Sequence, residues 1–141
     1  MSKRGRRIAF DYGDVRTGVA LCDPDGILAS PLCVLETKSK SFTAEISGLF
    51  TEHEPIAIFV GMPVNMSGST GESAEKVDNF VATLKELSDL PIHLIDERLS
   101  TVSAQKKLKE AGVSSRDSKQ LIDAMAAVAI LEQGLLSENL G

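Results

Sequence analysis

Tryptophan is absent from these 141 residues, and one tyrosine and five phenylalanines complete the aromatic set. Single-strand binders that stack successive bases need several exposed rings, so no stacking platform of that kind is expected. Cysteine and histidine are as scarce, with Cys22, Cys33, His53 and His93 the only ones. Neither their number nor their spacing builds a zinc cluster, a redox motif or a disulfide framework. The two cysteines flank an expected hairpin and could face each other, with reduced packing thiols the plainer reading. No apolar run approaches the roughly 20 residues of a membrane span. The N-terminal Lys3-Arg4-Gly5-Arg6-Arg7 leads into a strand rather than a signal peptide, so a cytoplasmic protein is expected. Repeats and low-complexity segments are also missing.

What is present is the composition of one soluble globular domain, 43% hydrophobic and 25% charged. A single domain over 1–141 is expected, with residues 1–5 a flexible basic tail. The net charge of −5 argues against nonspecific nucleic-acid binding through the overall field. Local basic groups remain: Lys3, Arg4, Arg6 and Arg7, then Lys106, Lys107 and Lys109, then Arg116 with Lys119. Each could contact phosphate or be a solvated surface charge.

The pattern along the chain predicts strands near 6–12, 16–23 and 27–36, joined by turns at Gly13-Asp14 and Pro24-Asp25-Gly26. A helix near 40–53 precedes Ile56-Ala57-Ile58-Phe59-Val60, a continuous apolar run suited to a strand covered on both faces. Ser69-Thr70-Gly71-Glu72 has capping-box spacing and opens a helix with Val77, Phe80, Val81, Leu84 and Leu87 at helical period. A strand at 91–96 and helices near 101–111 and 116–134 follow, with Gly112 suited to a helix C-terminus. The order is that of an α/β domain whose first three strands form an antiparallel meander.

Three acids stand where carboxylates are normally excluded. Asp11 ends the run Arg7-Ile8-Ala9-Phe10, and Glu97 follows the strand pattern Pro91-Ile92-His93-Leu94-Ile95-Asp96. Asp123 is the only charge between Leu121 and Leu131, on one helical stripe with Ala126, Ala127 and Ile130. A buried ionised carboxylate costs several kcal/mol or more unless it is paired or binds metal. A local cap or a salt bridge would satisfy one such acid; three together point to a shared cation. Ligation by Asp and Glu oxygens favours Mg²⁺ or Mn²⁺ over zinc. Lys119, one helical turn before Asp123, is placed to reach the same side. The segment Gly61-Met62-Pro63-Val64-Asn65-Met66-Ser67-Gly68 leaves a buried strand and should border the site, with Asn65 the side chain best suited to a ligand.

Four blocks carry a family resemblance: Asp11-Tyr12-Gly13 with Arg16-Thr17-Gly18-Val19-Ala20; residues 61–68; Asp96-Glu97-Arg98-Leu99-Ser100-Thr101; and Ile122-Asp123-Ala124-Met125-Ala126-Ala127. In this order they resemble the YqgF/RuvX family, whose members are described as Holliday junction resolvase homologues and candidate pre-16S rRNA nucleases. The resemblance implies a mixed five-stranded RNase H-like sheet with helices on both faces. It also implies catalytic and metal-binding roles for Asp11, Glu97 and Asp123, and metal-assisted phosphodiester hydrolysis. Arg98, Lys119, Arg16 and Asn65 are the expected substrate contacts. Ribosomal RNA precursor is the first expected substrate and a branched DNA junction the second, acted on by a monomer or homodimer. A catalytically silent interaction domain and an actin-like nucleotide-binding protein are the alternatives from other classes, the latter because Asp11 to Gly18 also resembles a phosphate loop.

Overall fold

A computed structural model describes residues 4–62, 72–96 and 115–140, without the side chains of residues 72, 73, 115–122, 139 and 140. Five strands, β1 (Arg7–Asp11), β2 (Arg16–Cys22), β3 (Ala29–Glu36), β4 (Ala57–Met62) and β5 (Ile92–Asp96), form one sheet in the order β3-β2-β1-β4-β5. β1 and β3 run antiparallel to β2, whereas β4 is parallel to both β1 and β5. Three helices, α1 (Phe42–His53), α2 (Glu72–Leu87) and α3 (Ser115–Leu140), complete the described elements.

Period-two alternation divides the core. Ile8, Phe10, Val19, Leu35, Ile58 and Val60 face α1 and α2, meeting Phe42, Ile46, Val77, Phe80 and Leu84. Phe10 and Tyr12 lie against Phe80, with ring centroids 5.5 and 4.8 Å away, contacts worth about 0.5–1.5 kcal/mol each beyond their burial. Ala9, Ala20, Cys22, Phe59 and Ile95 face the other way, against Ala127, Val128, Ile130, Leu131 and Leu135 of α3. β4 is apolar throughout because both of its faces are covered. The α/β class and the antiparallel first three strands agree with the sequence expectation.

Several boundaries moved for local reasons. β3 begins at Ala29 rather than Ile27 because the Asp23 carboxylate accepts the backbone N–H groups of Ile27 and Leu28 at 2.7 and 3.0 Å. Those bonds, first Leu28 and then Ile27, hold the Asp23 carboxyl below its ordinary value. α1 starts at Phe42 because Ser39 and Ser41 form a local turn, with Ser41 N–H donating to Ser39 Oγ at 3.2 Å. α3 continues past Gly134 to Leu140, since that glycine leaves room for the Phe59 ring, whose Cδ2 would lie 2.6 Å from an added Cβ. β3 carries Pro31 at the sheet edge, beside a register shift opposite Val19 and Ala20, where a missing N–H is tolerated.

The two cysteines do not face each other. Cys22 pairs with Ala29 and points toward α3, whereas Cys33 pairs with Val19 and packs on the opposite face. Both are free thiols, and burial pushes both up in pKa. Arg4 and Gly5, read from sequence as part of the tail, are held to the β2–β3 turn. Arg4 Nη1 is 3.0 Å from Asp25, and Gly5 N–H donates to the Pro24 carbonyl at 2.7 Å. Arg7 is buried, with Nε 3.2 Å from Glu138 Oε2, joining β1 to the far end of α3. The expected helix near 101–111 and the residues of the expected cap at 69–71 lie outside the described residues.

Candidate active site

The carboxyl ends of β1, β4 and β5 lie along one edge of the sheet, which is where open α/β sheets place their ligands. Asp11 is the last residue of β1, half-buried, and its alternation with Ala9 aims it toward the α3 face. In the antiparallel ladder its partner is Gly18. A Cβ on Gly18 would run into the backbone of α3, at the Asp123 carbonyl and, 3.1 Å away, the Ala124 nitrogen. Strand and helix therefore touch backbone to backbone, and the Asp123 turn of α3 rests on the residue that pairs with Asp11, a seam only glycine permits.

Arg16 enters the same place from the start of β2. Its Nε donates to Asp123 Oδ2 at 2.8 Å, with the two side chains 35% and 25% exposed. At that exposure the pair is worth about 0–1 kcal/mol, so its importance is charge placement rather than stability. The β1–β2 turn is fixed on its outer side by Lys76 of α2, whose Nζ is 3.0 Å from Asp14 Oδ1. Gly13 lies so close to the Arg16 carbonyl that a side chain would not fit. β5 ends at Asp96, level with Met62 of β4, one residue before Glu97.

Of the site residues expected from sequence, the structure joins Arg16 to Asp123 and pairs Asp11 with Gly18, the residue against which the Asp123 backbone packs. Lys119 lies on α3 one turn before Asp123, with its side chain outside the description. Glu97, Asn65 and Arg98 lie outside the described residues. Among the described residues no three His, Cys, Asp or Glu side chains cluster as metal ligands. Asp123 pairs with a cationic side chain, and carboxylate oxygens are donors that suit a hard divalent cation. Sequence reasoning did not foresee the Gly18 seam. A glycine inside a strand was the available signal, since it often marks a close backbone approach.

Comparison with known proteins fits this geometry. A family model described as RuvX, Holliday junction resolvase, matches residues 5–137. A Streptomyces coelicolor protein named as a candidate pre-16S rRNA nuclease is 43% identical over 139 residues, covering 97% of this chain and 83% of the relative. One from Mycobacterium leprae, named likewise, is 42% identical over 135 residues, covering 94% and 73%. Among solved structures, Thermus thermophilus RuvC in complex with a Holliday junction substrate superposes with a TM-score of 0.64 at 14% identity, covering 95% of this chain and 96% of RuvC. At that identity the likeness speaks for the RNase H-like fold.

Proposed function

The chain belongs to the RuvX family, and from that premise we propose that it is a divalent-metal-dependent nuclease that matures the 5′ end of pre-16S ribosomal RNA in the cytoplasm. The observation that supports the reading is the packing of the Asp123 backbone on Gly18, the ladder partner of Asp11, at the sheet edge where β5 ends just before Glu97. Asp11, Glu97 and Asp123 would hold the ion. The chemistry such an ion, Mg²⁺ or Mn²⁺, would supply is polarisation of a water and neutralisation of charge on the phosphate oxygens.

The chain's own residues prepare that chemistry. Asp11 is fixed by its strand and Asp123 by its helix, so neither carboxylate has to be ordered when substrate arrives. Arg16 offsets the charge of the acidic pair, and its fork can turn to a phosphate oxygen when a cation takes its place on Asp123. Arg98, Lys119 and Asn65 are the remaining proposed contacts to the substrate.

The test is cleavage of a 5′-extended ribosomal RNA precursor, beside a DNA four-way junction, by wild-type and Asp11→Asn protein with Mn²⁺, Mg²⁺ or EDTA. Metal-dependent trimming of the RNA, lost in the variant, supports the reading. Junction cutting alone moves the protein to the resolvase activity of its family description. Full cleavage by a folded Asp11→Asn protein would sink the site assignment.

A further inference from the structure

Beside the acidic pair, on the β3 side, lies a half-open groove of about 420 Å³ lined by Val15, Arg16, Val34, Glu36, Lys38 and Ser39. The nuclease reading gives it no role. Arg16 belongs to both places, since it lines the groove and donates to Asp123. The groove therefore continues the site rather than standing apart from it. Arg16 is two residues from Gly18, about 7 Å along the strand from the position that pairs with Asp11.

The walls are preformed. Thr17 Oγ1 and Thr37 Oγ1 share a 2.7 Å hydrogen bond, and Thr37 N–H donates to the Val15 carbonyl at 3.0 Å, fastening the start of β2 to the end of β3. Lys38 follows immediately, exposed and with no hydrogen bond or ion pair among the described residues. Val15 is 62% exposed at the groove's mouth, where a solvated polar side chain would be ordinary. The lining thus holds two cations, one carboxylate and an apolar edge, a combination that suits the charged backbone and apolar sugar faces of a nucleic-acid strand.

We propose that this groove is a backbone subsite for the nucleic-acid strand beside the cleaved position, with Lys38 as its phosphate contact and Arg16 linking it to the acidic pair. The proposal rests on the nuclease reading for the identity of its ligand. Glu36, opposite Arg16 in the β2–β3 register, works against an anion and limits the affinity of the empty groove. Removing Lys38 should therefore weaken binding, and neutralising Glu36 should tighten it.

The experiment is fluorescence anisotropy of a short fluorescein-labelled single-stranded RNA, and of DNA of the same sequence, in EDTA between about 50 and 200 mM KCl. Lys38→Ala should weaken binding of both probes roughly three- to tenfold and reduce the salt slope by about 0.7, one phosphate contact on a single strand. Lys38→Arg should restore both quantities, Glu36→Gln should tighten binding, and Lys85→Ala on α2 should change neither. Unchanged melting temperatures show that the variants are folded. Wild-type binding with no effect of Lys38→Ala overturns the subsite and leaves the nuclease reading intact. An effect on RNA alone overturns the phosphate assignment, because DNA offers the same phosphates. No wild-type binding to either probe overturns the subsite, while the nuclease reading stands or falls by the cleavage assay.

Discussion

Replacing Gly18 with alanine adds a single methyl group at the point where β2 meets α3. That Cβ would fall well inside 3.0 Å of the Asp123 carbonyl, and 3.1 Å from the Ala124 nitrogen. Both are backbone atoms, so no side-chain rotation relieves the collision, and α3 must retreat by on the order of 1 Å. The retreat loosens Ala127, Ile130 and Leu131 from Ala9, Ala20 and Phe59. Overpacking of this kind costs about 1–3 kcal/mol or somewhat more, and the upper end applies here because a whole helix must move. Urea unfolding should show a midpoint lowered by about 1–2 M at an unchanged slope. Cleavage should fall about 100-fold in protein that remains folded, since Asp123 shifts away from Asp11. Two other glycines serve as controls. Gly134→Ala presses on the Phe59 ring, a side chain that can tilt, and should cost less stability and little activity. Gly48→Ala lies mid-helix with nothing within 4 Å and should stabilise by about 0.5–1 kcal/mol. A Gly18→Ala protein with wild-type midpoint and wild-type cleavage would refute the claim that this seam positions the acids.

Glu54 caps α1 in the left-handed region, φ 48°, with its N–H donating to the Phe50 carbonyl. Glu54→Gly should therefore raise stability by about 0.5–1 kcal/mol in thermal unfolding, and a loss would show that the glutamate side chain matters more than its backbone. The lowered pKa of Asp23 places its contribution above the ordinary carboxylate value of 3.8, fading as pH falls through the lower folded value. Melting curves of wild-type and Asp23→Ala protein should differ most near neutrality and converge in strong acid; a gap that widens in acid contradicts the sign. With burial raising both thiols, Cys22 and Cys33 should react with iodoacetamide far more slowly in the native than in the unfolded protein. Mild oxidation should yield no bond between them, and mass spectrometry detecting one would contradict their placement on opposite faces.

The strands were legible where burial wrote itself into composition. Ala57 to Val60 is apolar because both faces of β4 are covered, and β1 and β2 follow from runs interrupted by a glycine turn. Asp11 and Asp123 were legible because each is a charge among buried neighbours. The Arg16–Asp123 bond was not, because it joins positions 107 residues apart and depends on how α3 lies across β2. The late start of β3 was hidden for the opposite reason. Asp23 captures two nearby N–H groups that an apolar Ile27-Leu28 pair suggests are available to a ladder. The groove lined by Lys38 arises from register between β2 and β3, which the pattern of either strand alone does not encode. Glu97, Asn65 and Arg98 rest on sequence motif alone.

Among the described elements α3 alone covers the face formed by Ala9, Ala20, Phe59 and Ile95, and α3 is also what carries Asp123. All five strands are synthesised before that helix. A nascent chain therefore exposes half its sheet, and holds Asp11 without its acidic neighbour, until translation has passed residue 123. For a nuclease made in the presence of abundant RNA, that order of synthesis matters: the same docking event that covers the apolar face also sets Asp123 against Gly18, the ladder partner of Asp11, so an unfinished chain lacks that acid there.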